Sequence, residues 1–493
     1  MRNLIIKSFI GVSLIASMSS CGDKFLEVDY TGGVESEGAL NSPSVIEYAL
    51  NGTYVRLLNY YFASDYANNI GDVASDIVYR TGSTGHFSNI YQFTYQDTDG
   101  YLSGIWNYGY KVVDNSARII EACENLLPEA TGYDEEDLML FEAEARCLRA
   151  YANLVMVNVF CHQAMVDGTS YLNQPGLVLV ENPIVAYAHV ERSTIGETYN
   201  FIIDDLQTAI DLFEELGGDR GDVYYMNEAA AYGLLARANM YLENWTDAAS
   251  AAKSALDIAG IDELAYTVDE YMALYDGGDS NIESFFTLGI DSTNSFGANS
   301  SGTLYNNYGF SPSPYLYSLF GEDDVRLSLM FFYLTNENPE DYMNNFCAGK
   351  FWNGGGNIQT ATMSMIGAPE MFLIEAEAFA NLNQISNAQE ALYVVAHRNP
   401  EISSTTDLPS TQSELISFIY DERARELFQQ GFRLWDLRRW NIRCNLNAIG
   451  APEIGWGLPG QQLGNMIYPI PVDEINAGFG VTQNEGWSNA RPK

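Results

Sequence analysis

The four histidines of the chain stand at 86, 162, 189 and 397. None falls in the HExxH spacing that puts two ligands on one helix face around a metal. No GxSxG marks an activated serine, and Gly354-Gly355-Gly356 lacks the Lys-Ser/Thr that makes a glycine loop a phosphate cradle. Paired carboxylates hydrolyse glycosides, but 65 Asp and Glu make chance pairs common, so a pair in sequence means little. Asp97-Thr98-Asp99-Gly100 and Asp276-Gly277-Gly278-Asp279 begin like Ca²⁺ loops, and neither ends in the Glu that would close one. They read as acidic turns. The expectation is a chain with no catalytic set, no metal site and no cofactor.

The aromatics point elsewhere. There are 33 Tyr against 24 Phe, with 7 Trp. A tyrosine surplus suits surfaces that need a flat apolar face and a polar tip together. A sugar ring matches that need, with apolar C–H faces ringed by hydroxyls. In two Gly-, Ser- and Asn-rich stretches, Tyr91, Tyr101, Tyr305, Tyr308, Tyr315 and Trp352 suit the faces. Asp76, Arg80, His86 and Asn307 suit the hydroxyls.

Those stretches sit on a helical frame. Phe141 to Val159 is apolar at helical spacing. Thr194 with Glu197 three residues on is a capping box, opening a helix that Gly217-Gly218 stops. Asn227 to Ile258 reads as a helical hairpin turning at Asn244-Trp245-Thr246, with Ala248, Ala252 and Ala255 allowing close approach. A second such pair follows about 140 residues later: Phe372 and Ala376, a turn at Gln384 to Asn387, then Ala388 and Leu392. Another helix runs from Ser413 to Leu427. Between the pairs, 276–366 is rich in Gly, Ser, Asn and aromatics, with a strand expected at Phe285 to Ile290 and a run from Tyr305 to Tyr317 too broken for a helix. A similar loop spans Tyr79 to Trp106, and a short extended piece is expected at Ile467 to Pro471. The predicted fold is mainly α, a tetratricopeptide-like scaffold of helical pairs with a large loop-rich insertion and minor short strands.

Net charge is −41, which argues against nucleic acid and anionic lipid head groups as partners and mildly disfavours acidic ligands. Arg2 and Lys7 precede an apolar run from Phe9 to Met18 that is too short to span a bilayer. It reads as a signal peptide over 1–20, with Cys21 as the lipidated residue of a processed lipoprotein, so membrane attachment is through lipid only. The remaining cysteines, 123, 147, 161, 347 and 444, are expected as buried free thiols. Six arginines in 423–443 are expected to pair with carboxylates and tie the last helices to the scaffold. Trp435 and Trp440 are expected in the core.

An ordered set of motifs resembles the RagB/SusD family of outer-membrane nutrient-binding lipoproteins. It starts at Cys21-Gly22-Asp23-Lys24-Phe25-Leu26-Glu27 and continues with Arg149-Ala150-Tyr151. Arg192-Ser193 with Glu197, Tyr199, Asp205-Leu206 and Ala209 follows, then Glu370 to Ala378. The strongest part is Glu422-Arg423-Ala424-Arg425-Glu426-Leu427 through Gly431-Phe432-Arg433 to Asp436-Leu437-Arg438-Arg439-Trp440. Tyr468-Pro469-Ile470-Pro471 and Gln483-Asn484-Glu485-Gly486-Trp487 close it.

The resemblance implies a lipid-anchored outer-membrane protein facing the cell exterior. It would capture a polymer or oligomer, most often a glycan, and pass it to a SusC-like TonB-dependent transporter without catalysis. It also implies the domain order: a tether over 21–40, scaffold over 41–275 with a binding loop near 72–106, insertion over 276–366, scaffold again over 367–440, and an irregular segment over 441–493. Capture of peptides or another nutrient, and glycan hydrolysis, are the alternatives the residues leave open.

Overall fold

The computed structural model describes residues 39–80, 84–330, 347–444, 461–462 and 466–488. Cys21 and the signal segment lie outside them. The unit beginning at Ser42 is a stack of helices in which each packs on its predecessor. Helix α1 (Pro43–Leu58) lies against α3 (Gly100–Leu126), with the short α2 (Tyr66–Val73) between them in sequence. Then α3 packs on α4 (Tyr133–Phe160), α4 on α5 (Ile195–Leu216), and α5 on α6 (Glu228–Tyr241). The hairpin of α6 with α7 (Trp245–Ala259) is the first predicted pair; α8 (Ala368–Asn381) with α9 (Ile385–Ala396) is the second.

The pairs are remote in sequence yet α7 packs directly on α8. The reason is side-chain size: Ala248, Ala252 and Ala255 of α7, and Ala376 and Ala378 of α8, are fully buried, so the helix axes approach closely. Two more helices, α10 (Gln412–Glu426) and α11 (Arg433–Arg439), complete the scaffold. The capping box at the start of α5 is present, with the Glu197 amide donating to Thr194 Oγ1 at 3.1 Å and the Thr194 amide to Glu197 at 2.8 Å. The left-handed Gly217 ends that helix.

Two antiparallel ribbons organise the loops. Strand β1 (Val78–Arg80) pairs with β3 (Phe310–Pro312), in register Val78 with Pro312 and Arg80 with Phe310. This ladder joins the two aromatic-rich stretches. Strand β2 (Ser284–Leu288), where a strand was predicted, pairs with β4 (Met363–Gly367), so the inserted segment leaves and re-enters the scaffold at one place.

Two local expectations are corrected. Tyr305 to Tyr317 overlaps two short helices, Ser301–Asn307 and Pro314–Ser318. Ser300 and Ser313 cap them, accepting the amides of Thr303 at 3.2 Å and Leu316 at 3.1 Å, so capping overrides the broken composition. The first loop stops before Trp106, because Asp99 accepts the Tyr101 amide at 2.9 Å and starts α3 at Gly100; this is one of the two acidic turns. Along the extended piece expected at Ile467 to Pro471, Gln483 pairs with both backbone groups of Ile470, at 2.7 and 2.8 Å.

A buried ionic lattice ties the insertion to the last helices. Arg326 pairs with Asp324, Glu422 and Glu426, and Arg398 with Glu283 and Glu426. Against the burial that raises it, Arg326 and Arg425 hold the Glu422 carboxyl down at about 2. The predicted pairing holds for Arg423 with Asp436, Arg425 with Glu422, Arg433 with Asp76, and Arg439 with Glu377 and Asp436. Arg438 differs. Its Nη atoms donate to the carbonyls of Asn158 and Cys161 at 2.6 and 2.8 Å, capping the end of α4, where unpaired carbonyls attract a cation. Gly431, at φ 79°, must be glycine, since a Cβ there would lie 2.0 Å from the Asn68 carbonyl oxygen. Cys123, Cys147, Cys161 and Cys347 are buried free thiols.

Candidate functional site

The end of α1, the start of α2 and the first turns of α3 bring a cluster of tyrosines to the surface. On α3, Tyr101, Gly104, Tyr108 and Lys111 follow at i, i+3, i+7 and i+10, which places them along one face. Gly104 makes room. A Cβ there would stand 3.0 Å from ring carbons of both Tyr61 and Tyr66, so its absence lets those rings rest on the helix.

The rings form a column and a bracket. Tyr60 and Tyr61 lie 4.1 Å apart at 33°, and Tyr61 and Tyr108 lie 5.1 Å apart at 30°. The Lys111 ammonium sits 4.1 Å from the Tyr108 ring centre. Tyr66 stands edge-on to Tyr60 and Tyr61, and Phe296 from the insertion meets Tyr60 at 5.4 Å. Tyr60, Tyr61, Tyr66, Tyr101, Tyr108 and Phe296 are all half-buried: held by packing, yet reachable. Burial, with help from Tyr61, pushes the Tyr60 hydroxyl up to about 12, so it remains a hydrogen-bond donor at any physiological pH.

Next to this column lies a second group. Tyr101 stacks on Phe87 at 4.0 Å and accepts the Phe87 amide at 2.9 Å. His86 stacks on Tyr308 at 4.0 Å, their planes 6° apart. The Arg80 Nε donates to the His86 carbonyl at 3.2 Å, and the Arg80 amide to the Tyr91 hydroxyl at 3.2 Å. Burial, then the Arg80 charge, lowers the His86 pKa, so its ring is neutral near pH 7.

A cavity of about 540 Å³ opens beside α1, lined by Tyr54, Val55 and Leu58, by Tyr224 and by Leu288 to Asp291. This volume is that of a small-ligand site. Its walls, the end of α1 and the segment after β2, continue in sequence into Tyr60 and Phe296 of the ring column.

Known proteins match this chain in sequence motifs and in fold. The SusD family model matches residues 333–487. A second model, described as starch-binding associating with outer membrane, matches residues 24–242. The chain belongs to the SusD/RagB family. A SusD superfamily protein of Bacteroides thetaiotaomicron is 22% identical, with a TM-score of 0.77 over 90% of this chain and 99% of that one. A SusD superfamily protein of Bacteroides vulgatus is 21% identical, with a TM-score of 0.74 over 90% and 99%. A SusD-like carbohydrate binding protein, also from Bacteroides vulgatus, is 21% identical, with a TM-score of 0.67 over 81% and 83%. At these identities the likeness is one of fold. No curated protein matches the sequence. Among the described residues no helix is long and apolar enough to cross a membrane, and no group of His, Cys, Asp and Glu is placed to hold a metal.

Of the residues picked from the sequence of this SusD-family chain, the structure gathers Arg80, His86, Tyr101 and Tyr308 at one face, with Asn307 exposed beside them. Tyr91 lies fully buried beneath, its hydroxyl on the Arg80 amide. The others go elsewhere, and packing is the reason. Tyr305 is fully buried between Phe351 and Phe428. Asp76 is held by Arg433 at 2.8 and 3.0 Å. The Tyr315 hydroxyl donates to Asp421 at 3.0 Å. Trp352 packs on the cluster of Tyr271, Leu274, Val325 and Leu329. Trp435 is buried, and the half-buried Trp440 stacks on Tyr420. Tyr60, Tyr61, Tyr66, Tyr108 and Phe296 were missed. The spacing Tyr101, Tyr108, Lys111 was visible, but reading a loop as far as Trp106 hid it.

Proposed function

We propose that this protein captures an oligosaccharide or polysaccharide on the aromatic face, at the outer membrane. The single observation that carries the reading is the half-buried, solvent-reachable ring column of Tyr60, Tyr61 and Tyr108 bordered by Tyr66, Tyr101 and Phe296. Flat rings with hydroxyl tips cover sugar C–H faces and bond the rim hydroxyls in the same contact. The family membership supports carbohydrate as the ligand class. The finer parts extend that reading: lipid attachment through Cys21, a position facing the cell exterior, and delivery to a SusC-like TonB-dependent transporter. The role is binding without turnover.

Isothermal titration of the purified protein in detergent against neutral, acidic and branched oligosaccharides tests it, with reducing ends assayed in the same samples. Saturable heat without new reducing ends is expected. Tyr60→Ala combined with Tyr108→Ala should weaken binding by about tenfold, at roughly 0.5–1.5 kcal/mol per ring. New reducing ends would make the protein a hydrolase. Heat from a peptide pool and none from saccharides would replace the ligand class.

A further inference from the structure

Arg80 is held rigidly. Its backbone is in the β1–β3 ladder opposite Phe310, and the residue is 5% exposed. Among the described residues its guanidinium makes one hydrogen bond, from Nε to the His86 carbonyl at 3.2 Å. Among the described residues no carboxylate pairs with it: burial lowers the Arg80 pKa, and the Tyr91 and Tyr101 hydroxyls oppose that. A buried cation without an anion is costly, and this chain has 65 acids for 24 Lys and Arg. The nearby acids are committed. Asp76 is taken by Arg433. Asp99 caps α3 through the Tyr101 amide. Asp65, which Asn69 touches at 2.6 Å, is driven by burial toward its neutral form.

The unbalanced guanidinium also lies at the face and not deep in the scaffold. His86, whose ring feels the Arg80 charge, is half-buried and stacked on the half-buried Tyr308. We propose that Arg80 is an anion subsite of the aromatic face and takes the carboxylate or sulfate ester of an acidic saccharide. The inference rests on the capture reading and narrows it: the ligand is an acidic glycan, against the expectation from net charge. Overall charge governs approach over a Debye length of about 8 Å at physiological salt, whereas a charge-assisted bidentate contact acts at hydrogen-bond distance.

The test is titration of the purified protein with trigalacturonate, its fully methyl-esterified form, a κ-carrageenan tetrasaccharide and maltoheptaose. The ester comparison changes the ligand and leaves the protein intact. The expected result is an acid bound roughly 10- to 100-fold more tightly than its ester. Arg80→Gln should abolish that difference and Arg80→Lys should retain part of it, with melting curves showing both variants folded. Preference for the carrageenan over trigalacturonate, lost in Arg80→Gln, would identify the anion as sulfate and equally support the subsite. Equal binding of acid, ester and maltoheptaose, with Arg80→Gln silent, would overturn the subsite and leave saccharide capture standing. No binding of any of the four would overturn the subsite, and a positive peptide titration alongside it would remove the capture reading as well.

Discussion

At the join between the insertion and the last helices, Arg326 and Arg398 are surrounded by Asp324, Glu283, Glu422 and Glu426. At the aromatic face, Arg80 is buried less completely, at 5% exposed against 1% and 0%, and among the described residues its guanidinium has one carbonyl. Both regions bury guanidinium groups, and they solve the problem in opposite ways. In the join, charge is cancelled inside the protein, so the group is committed to holding the chain together. On the face it is left for something outside the chain. The general lesson is that a buried ion pair reports on architecture, while a buried ion without a partner points to a missing one.

The largest contrast should come from stability. Arg398→Ala leaves Glu283 and Glu426 buried with a guanidinium removed, and breaking such a pair costs about 3–5 kcal/mol. Arg80→Gln removes an unbalanced cation and should leave stability unchanged or raise it. Urea denaturation of both variants checks this. A loss in Arg80→Gln as large as that in Arg398→Ala would make Arg80 one more member of the structural lattice and erase the comparison.

Two buried carboxylates, one inside the join and one on α2, should respond oppositely to acid. Glu422 in the join is held down at about 2. Its folded pKa is below the unfolded one, so its contribution is present above about pH 4.5 and is lost as pH falls toward 2. Asp72, on α2 where that helix meets the turn between α10 and α11, accepts the amides of Gly431 and Arg433 at 3.1 and 3.4 Å. Burial nevertheless outweighs those bonds and pushes it up to about 7. The folded protein therefore keeps a proton there that the unfolded chain has released above pH 4, so stability falls as pH rises from about 4 to 7. Asp72→Asn removes that slope. The variant should gain on the wild type between pH 5 and pH 8, by about 2 kcal/mol to order of magnitude. A difference that does not change with pH would show that Asp72 is ionised in the folded protein.

The join was more legible in the sequence than the face, and chemistry explains why. Arginines crowded into 423–443 in so acidic a chain must find carboxylates, and Ala248, Ala252, Ala255 and Ala376 at helical spacing allow little but close packing. Helix caps such as Thr194 with Glu197 are local and can be read directly. The face depends on three remote segments meeting, and nothing in Asn59-Tyr60-Tyr61 states that Tyr108 and Phe296 will arrive beside it. Burial was equally hidden. Tyr305 and Tyr308 are three residues apart; one is sealed between Phe351 and Phe428 and the other stacks on His86 at the surface. The family motifs carry the fold, and they do not specify which tyrosines turn outward.

A smaller effect separates ring placement from ring identity. Gly104→Ala keeps every tyrosine and adds a methyl group 3.0 Å from Tyr61 and Tyr66. Inside α3 alanine favours the helix by about 1 kcal/mol over glycine, which offsets part of the crowding. The melting temperature should hardly move, while saccharide affinity falls about threefold as the rings shift, a change of roughly 0.6 kcal/mol. Unchanged affinity would mean that the column is packing for the face and not its contact surface.

The smallest effect is also the most specific to Arg80. Burial comes first in lowering the His86 pKa and the Arg80 charge second. An anion on the guanidinium cancels the second cause and leaves the first, so the His86 pKa should rise on binding without passing its ordinary value near 6.5. Linkage then fixes the sign for affinity: binding takes up a fraction of a proton, so an acidic saccharide should bind slightly more tightly at pH 6 than at pH 7.5, and a neutral one equally at both. The His86 ring resonances, followed by NMR titration with and without trigalacturonate, give the shift directly, and His86→Gln should flatten the pH dependence of binding. A His86 pKa that falls when the acid binds would mean that the ligand covers the ring without neutralising Arg80, which would place the anion elsewhere on the face.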